Sequence, residues 1–262
     1  MRLKINKVVL NIFESGVKYY NSRPSLIFLH YFGGSSESWR EVIALLLMDF
    51  HCIALDLRGF GASEDSVDNH AIKDYADDLA ELISILNLES YVLIGHSMGG
   101  KIALEFATRK PQGLQSLILL APSPPTPEPM AEAERTRLWT THGDRQAAEE
   151  TVRKITAQKL SIDVFERTVA DNLRSSENAW EAWLESGSRE NISAHISGIN
   201  VPTLVAAGEK DESMTAELLN REIVQRIENA RLVTIPAVKH LLPLEAPAEI
   251  TALINAQISS FA

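Results

Sequence analysis

The chain has 262 residues, with 25 Lys and Arg against 35 Asp and Glu, a net charge of −10. At about 150 residues per domain this is one or two domains, and roughly 11,000 Å² exposed when folded against roughly 42,000 Å² unfolded puts a large single core within reach. Its 45% hydrophobic and 23% charged residues exclude disordered and fibrous classes, and its acidic excess lacks the basic footprint of a nucleic-acid binder.

In chain order, short and mostly apolar runs predict strands at Val8–Phe13, Ser25–Leu29, Cys52–Leu55, Tyr91–Ile94, Leu117–Leu120, Pro202–Ala206 and Arg231–Ile235. The middle ones are nearly continuous, as strands covered on both faces are. Between them lie helical periods. Ile72, Tyr75, Ala76, Leu79, Leu82, Ile83 and Leu86 fall on one helix face, and Ala246, Ile250, Leu253, Ile254 and Ile258 repeat the pattern, with Pro247 suited to a first turn. Strands alternating with helices predict βαβ units, a mostly parallel, doubly wound sheet and ligands at the strands' carboxyl ends. The alternation breaks after Leu120. The stretch Ala121–Pro129 holds five prolines in nine residues, which suits neither helix interior nor central strand. From Met130 to about Ser188 the pattern is helical, longer than a crossover needs, and carries Trp139, Trp180 and Trp183, three of the four tryptophans. This predicts a helical insertion, 122–188, between core parts 1–121 and 189–262, roofing the strand ends.

Cys52 is the single cysteine, so an internal disulfide and a Cys-based zinc site are excluded. No apolar run approaches bilayer length, and Met1–Phe13 lacks an uninterrupted apolar signal-peptide core. These features lead us to expect a cytoplasmic protein with no membrane span.

The strongest chemical signal is Gly95-His96-Ser97-Met98-Gly99-Gly100, which follows one predicted strand and precedes a helix containing Ile102, Leu104 and Ala107. A serine on such a sharp turn is held in a strained backbone, and the residues two before and two after crowd each other, so Gly95 and Gly99 suit those places. The hydroxyl then lies at a helix N-terminus, which favours developing negative charge.

With this motif in its strand–turn–helix setting, the chain resembles the α/β-hydrolase family over nearly its whole length. The resemblance implies a sheet of about eight strands, with the helical cap inserted after the sixth. It implies Ser97 as nucleophile, with the backbone N–H of Met98 as one oxyanion donor. His30-Tyr31-Phe32-Gly33-Gly34 is similar to the family's His-Gly-x-Gly-Gly loop, which puts Phe32 in the second donor position and leaves His30 as a brace. Tyr31 replaces the usual first glycine. The family order of Ser, then acid, then His selects His240, which follows the last predicted strand, from the seven histidines. The family's Gly-x-x-Asp, matched at Gly208-Glu209-Lys210-Asp211, selects Asp211 as the acid, with Glu209 and Glu212 as rivals. Asp56-Leu57-Arg58-Gly59 also resembles the family, and we assign it a structural role.

The expected function is therefore a serine hydrolase that cleaves a carboxylic ester, thioester or lactone of a small, partly apolar molecule through an acyl-enzyme, with water and without metal or organic cofactor. Dehalogenases and epoxide hydrolases of the fold use an aspartate nucleophile and are disfavoured. A carbon–carbon bond hydrolase on the same residues and a non-catalytic small-ligand receptor are the alternatives. Tyr31, Trp139, Trp180 and Trp183 are the candidates for the substrate pocket. The protein is expected to act as a monomer or homodimer.

Overall fold

The computed structural model describes residues 1–66 and 70–261. Its strands are β1 (Arg2–Ile5), β2 (Val8–Ser15), β3 (Ser25–Leu29), β4 (Cys52–Leu55), β5 (Tyr91–His96), β6 (Leu114–Leu120), β7 (Thr203–Gly208) and β8 (Ala230–Ile235). They form one sheet in the order β1-β2-β4-β3-β5-β6-β7-β8. The β1–β2 and β2–β4 pairings are antiparallel and the rest parallel. The helices are α1 (Arg40–Leu46), α2 (Ile72–Ile85), α3 (Met98–Thr108), α4 (Glu132–Thr140), α5 (Arg145–Lys154), α6 (Ile162–Arg174), α7 (Glu177–Glu185), α8 (Ala216–Leu219), α9 (Leu242–Glu245) and α10 (Pro247–Ser259). No described helix is long and apolar enough to cross a membrane.

The continuous apolar runs became β3 to β7, buried along almost their whole length because helices cover them from both sides. The helix read from Ile72 buries Ile72, Tyr75, Ala76, Leu79 and Leu82 and packs on α3. Pro247 opens α10, which packs against α1. One strand was missed: β1 turns back into β2 through Asn6 and Lys7, both at positive φ, 45° and 83°. Asn-Lys is a weaker hairpin signal than Asn-Gly, since only glycine takes that conformation freely.

From β3 the chain first winds to β4 on one side, and then continues from β5 on the other side of β3. The loops leaving β3 and β5 therefore diverge, which opens a crevice at the strands' carboxyl ends where that order reverses. Four helices, α4 to α7, intervene between β6 and β7. They are not packed alike. Ala148, Val152 and Val169 form a small apolar cluster of their own between α5 and α6. Leu138 on α4 and Ala179, Trp180, Trp183 and Leu184 on α7 instead join the main core. The two connections to this segment run side by side. Glu128 N–H donates to Ser188 O at 2.8 Å and Ile192 N–H to Pro125 O at 2.8 Å. Lys101, one turn into α3, donates to Glu190 O at 2.6 Å and Thr126 O at 3.3 Å.

Candidate active site

β5 delivers Ser97 into the crevice at φ 51°, ψ −114°, a region that costs a non-glycine residue about 1–3 kcal/mol. The turn is possible because its flanks lack side chains. A Cβ on Gly95 would lie 2.5 Å from Gly99 O, and one on Gly99 would lie 2.5 Å from Leu29 O and 2.6 Å from His30 O. The turn is fixed by Ser97 N–H donating to Leu120 O at 3.0 Å, and by Ser97 O accepting from Gly100 N–H and Ser123 N–H, both at 2.9 Å.

The loop after β3 supplies the facing wall. His30 is buried and both ring nitrogens are engaged: Nδ1–H donates to Tyr31 O at 2.7 Å, and Nε2 accepts from Leu57 N–H at 3.0 Å. Burial lowers its pKa, so it stays a neutral brace. Tyr31 is accommodated by Gly34, where a Cβ would meet its ring at 2.6 Å. Gly34 N–H closes the turn on Tyr31 O at 3.0 Å. The Tyr31 ring rests on His96 at 5.2 Å, and the Phe32 ring on Trp180 at 4.2 Å.

Asp211 and His240 come from the loops after β7 and β8. Asp211 Oδ2 accepts from His240 Nδ1–H at 2.7 Å, while its Oδ1 accepts from Ser213 N–H, Ser213 Oγ–H and Met214 N–H at 2.9, 2.7 and 3.1 Å. Burial alone would raise the Asp211 carboxyl, but the His240 charge and these donors outweigh it and hold it well below the usual range. Burial likewise opposes the charged form of His240, and the Asp211 carboxylate outweighs that and raises its pKa. The two acidic neighbours do other things. Glu209 is exposed and accepts from Ala237 N–H at 3.0 Å, and Glu212 is exposed at the cavity mouth. Asp56 accepts from Ser36 N–H at 2.7 Å and Ala62 N–H at 2.8 Å, and Arg58 Nε donates to Asp78 at 2.7 Å, so this motif ties loops together.

Ser97, Asp211 and His240 are 5%, 6% and 9% exposed, shielded but reachable. Ser97 and His240 open onto a cavity of about 320 Å³, within the range of small-molecule sites. Tyr31, Phe32, Trp180 and Trp183 line it, together with Met130, Leu138, Val152, Ile155 and Met214. Trp139 is a correction. It is 38% exposed and borders a separate surface hollow with His142 and Glu177. Successive residues on a helix point about 100° apart, so when Leu138 faces the cavity Trp139 turns outward.

Sequence reasoning missed three residues. His96 Nε2–H donates to His240 O at 2.7 Å, and burial pushes its pKa down to about 3, so it remains a neutral donor. Ile155 O accepts from His240 N–H at 3.0 Å, so the histidine's backbone is held from both sides. Glu128, within the proline-rich stretch, also lines the cavity. Its acidic character among prolines was the available signal. His96 and Ile155 left none, since their contacts span 144 and 85 residues of sequence.

Residues 24–180 match the sequence profile of the alpha/beta hydrolase fold. A Bacillus subtilis (strain 168) protein provisionally named 2-succinyl-6-hydroxy-2,4-cyclohexadiene-1-carboxylate synthase is 26% identical over 260 residues, covering 89% of this chain and 92% of its own. Among solved structures, an esterase from Exiguobacterium antarcticum superposes with a TM-score of 0.89 at 19% identity, covering 99% of both chains. The enol-lactonase from Burkholderia xenovorans LB400 superposes with a TM-score of 0.86 at 20% identity, covering 99% of this chain and 100% of its own. With the profile spanning more than half of its length, and with the eight-stranded sheet and serine turn already described, this chain belongs to the alpha/beta hydrolase fold family.

Proposed function

We propose that this hydrolase cleaves a carboxylic ester, thioester or lactone of a small, partly apolar molecule through an acyl-enzyme on Ser97. The observation that carries the reading is a serine on a positive-φ turn sharing one cavity with a histidine that is hydrogen-bonded to a buried aspartate at 2.7 Å. Ser97 Oγ attacks the carbonyl carbon while His240 Nε2 takes its proton and later returns it to the leaving group. Asp211 holds the imidazole with Nδ1 protonated and stabilises the imidazolium. The N–H groups of Phe32 and Met98 receive the oxyanion, and among the described residues no loop or cap hydrogen bond engages either. Loss of one such donor typically costs about 3–4 kcal/mol of transition-state stabilisation. Water, activated by His240, then releases the acid.

The helical segment 122–188 serves as a cap in this reading. Met130, Leu138, Val152, Ile155, Trp180 and Trp183 all come from it and line the same cavity as Ser97. Its apolar walls suit the body of the substrate.

The test is covalent labelling. An organophosphonate or sulfonyl fluoride should add one adduct mass to the wild type and none to Ser97→Ala. Equal labelling of both would refute the nucleophile. An acyl-chain-length series of chromogenic esters, run beside a lactone panel, then separates turnover from ligand binding alone.

A further inference from the structure

One polar group of the cavity makes no bond that the acyl transfer uses, although its charge adds to that of Asp211 in raising the His240 pKa. Glu128 lies between Pro127 and Pro129, whose fixed φ angles stiffen the backbone on both sides. Its N–H donates to Ser188 O at 2.8 Å and its carbonyl accepts from Met130 N–H at 2.7 Å, so the residue is rigidly placed. It lines the cavity with Ser97 and His240, yet its Oε2 is shut off from solvent and has no hydrogen-bond partner. The cations nearest in effect are committed elsewhere: His240, when charged, is held by Asp211. Lys101 donates to Glu190 O and Thr126 O, and Arg135 to Leu184 O and Ser188 Oγ. Lys154, the cation among the described lining residues, pairs with Glu134 at 3.0 Å. Desolvation raises the Glu128 pKa against the pull of His240, Lys101 and Arg135. A buried acceptor left without a donor is costly, and one that persists calls for an explanation such as a functional role.

We infer that Glu128 is a specificity-determining residue that selects substrates bearing an N–H or O–H donor, an ammonium group foremost, and turns away those bearing a carboxylate. The inference rests on the acyl-transfer reading and names its substrate class. The last torsion of a glutamate turns freely, so the carboxylate can rotate Oε2 to the cavity wall, where a donor on the substrate supplies the hydrogen bond it lacks. A carboxylate would instead meet Glu128, Glu134 and Glu212 around one cavity, with no uncommitted cation among the described lining residues. The remainder of the molecule rests on Phe32, Trp180 and Trp183.

Phenyl acetates carrying a para aminomethyl, hydroxymethyl, ethyl or carboxymethyl group test this, with a second set that places the same groups on the acyl half. In at least one set the wild type should favour the ammonium ester over the carboxylate ester by about tenfold or more in kcat/KM, since like charges in a desolvated site repel strongly. Glu128→Gln keeps the size and removes the charge, and should bring that ratio to within about threefold. Glu128→Met, which also removes the acceptor, should additionally erase the preference for hydroxymethyl over ethyl. Circular dichroism reports whether each variant is folded. If neither folds, the wild-type ranking decides. An unchanged ratio in folded Glu128→Gln, or a wild type without the ammonium preference, overturns the inference. Wild type that neither turns over any ester nor takes a phosphonate refutes the acyl-transfer reading instead. The ketones with CH2 in place of the ester oxygen then report the charge ranking separately, as Kd from the quenching of intrinsic tryptophan fluorescence, to which the cavity residues Trp180 and Trp183 contribute. A Glu128-dependent ammonium preference in binding upholds the inference, and its absence sinks it.

Discussion

Replacing Gly95 by alanine tests whether crowding at the serine turn is what positions Ser97. Gly95 lies in β5 and its φ is not positive, so on backbone grounds alone alanine should stabilise the chain by about 0.4–1 kcal/mol. Space gives the opposite sign. The new Cβ would lie 2.5 Å from Gly99 O and 2.7 Å from Gly99 C, and relief even to a tight 3.0 Å requires the turn to open by about 0.5 Å. The obstacles are backbone atoms of a turn already tied to β6 and to the loop after β3, so they cannot rotate aside. Overpacking of this kind costs about 1–3 kcal/mol, which at roughly 2–4 °C per kcal/mol lowers Tm by about 2–12 °C. A misplacement of about 1 Å costs about a hundredfold in rate, so half of it should slow phosphonate labelling of Ser97 by about tenfold. Thermal unfolding and the labelling rate measure the two effects. Gly143→Ala is the control: its φ is +83° but nothing lies within 4 Å of the added Cβ, so it should lower Tm slightly and leave labelling alone. A Gly95→Ala protein with raised Tm and unaltered labelling would refute the crowding argument.

Asp211→Asn should lower kcat by about four orders of magnitude, because it leaves His240 in the wrong tautomer, whereas Glu209→Gln and Glu212→Gln should cost far less; a reversed ranking in steady-state kinetics would reassign the acid. The base must be neutral to act, and Asp211 raises the His240 pKa from its ordinary 6.5, so kcat/KM should fall as pH drops through a single pKa above that value. An acid limb centred well below it would contradict the pairing. Trp180 is 2% exposed and donates through Nε1–H to Leu138 O at 3.0 Å; Trp180→Ala should therefore cost about 3–5 kcal/mol in chemical denaturation and also shift acyl preference toward bulkier groups. Trp139→Ala, at a half-exposed position, should change stability by no more than about 0.5 kcal/mol and leave the preference as it is.

The sequence by itself determined the parallel sheet and the serine turn, because both are written in local terms. Continuous apolar runs mark strands covered on both faces, and Gly95 records a clash with Gly99 within five residues of chain, though Gly99 itself is kept bare by Leu29 and His30 where β3 ends. It also singled out His240 and Asp211 as the proposed partners of Ser97, by their order along the chain and by the family pattern after a strand. β1 escaped because its turn places both Asn6 and Lys7 at positive φ, a conformation that Asn signals weakly and Lys not at all. Tertiary structure alone decided which aromatic residues face the cavity. Trp139 and Trp180 read alike in sequence, and only the packing of α4 and α7 against the core turns one outward and the other onto Phe32. It alone also brought His96 to the carbonyl of His240, and left Glu128 beside the same cavity with an oxygen unpaired. Such contacts join residues far apart in the chain, and no local spacing encodes them, because they depend on how the loops of different strands converge over the point where the winding of the sheet reverses.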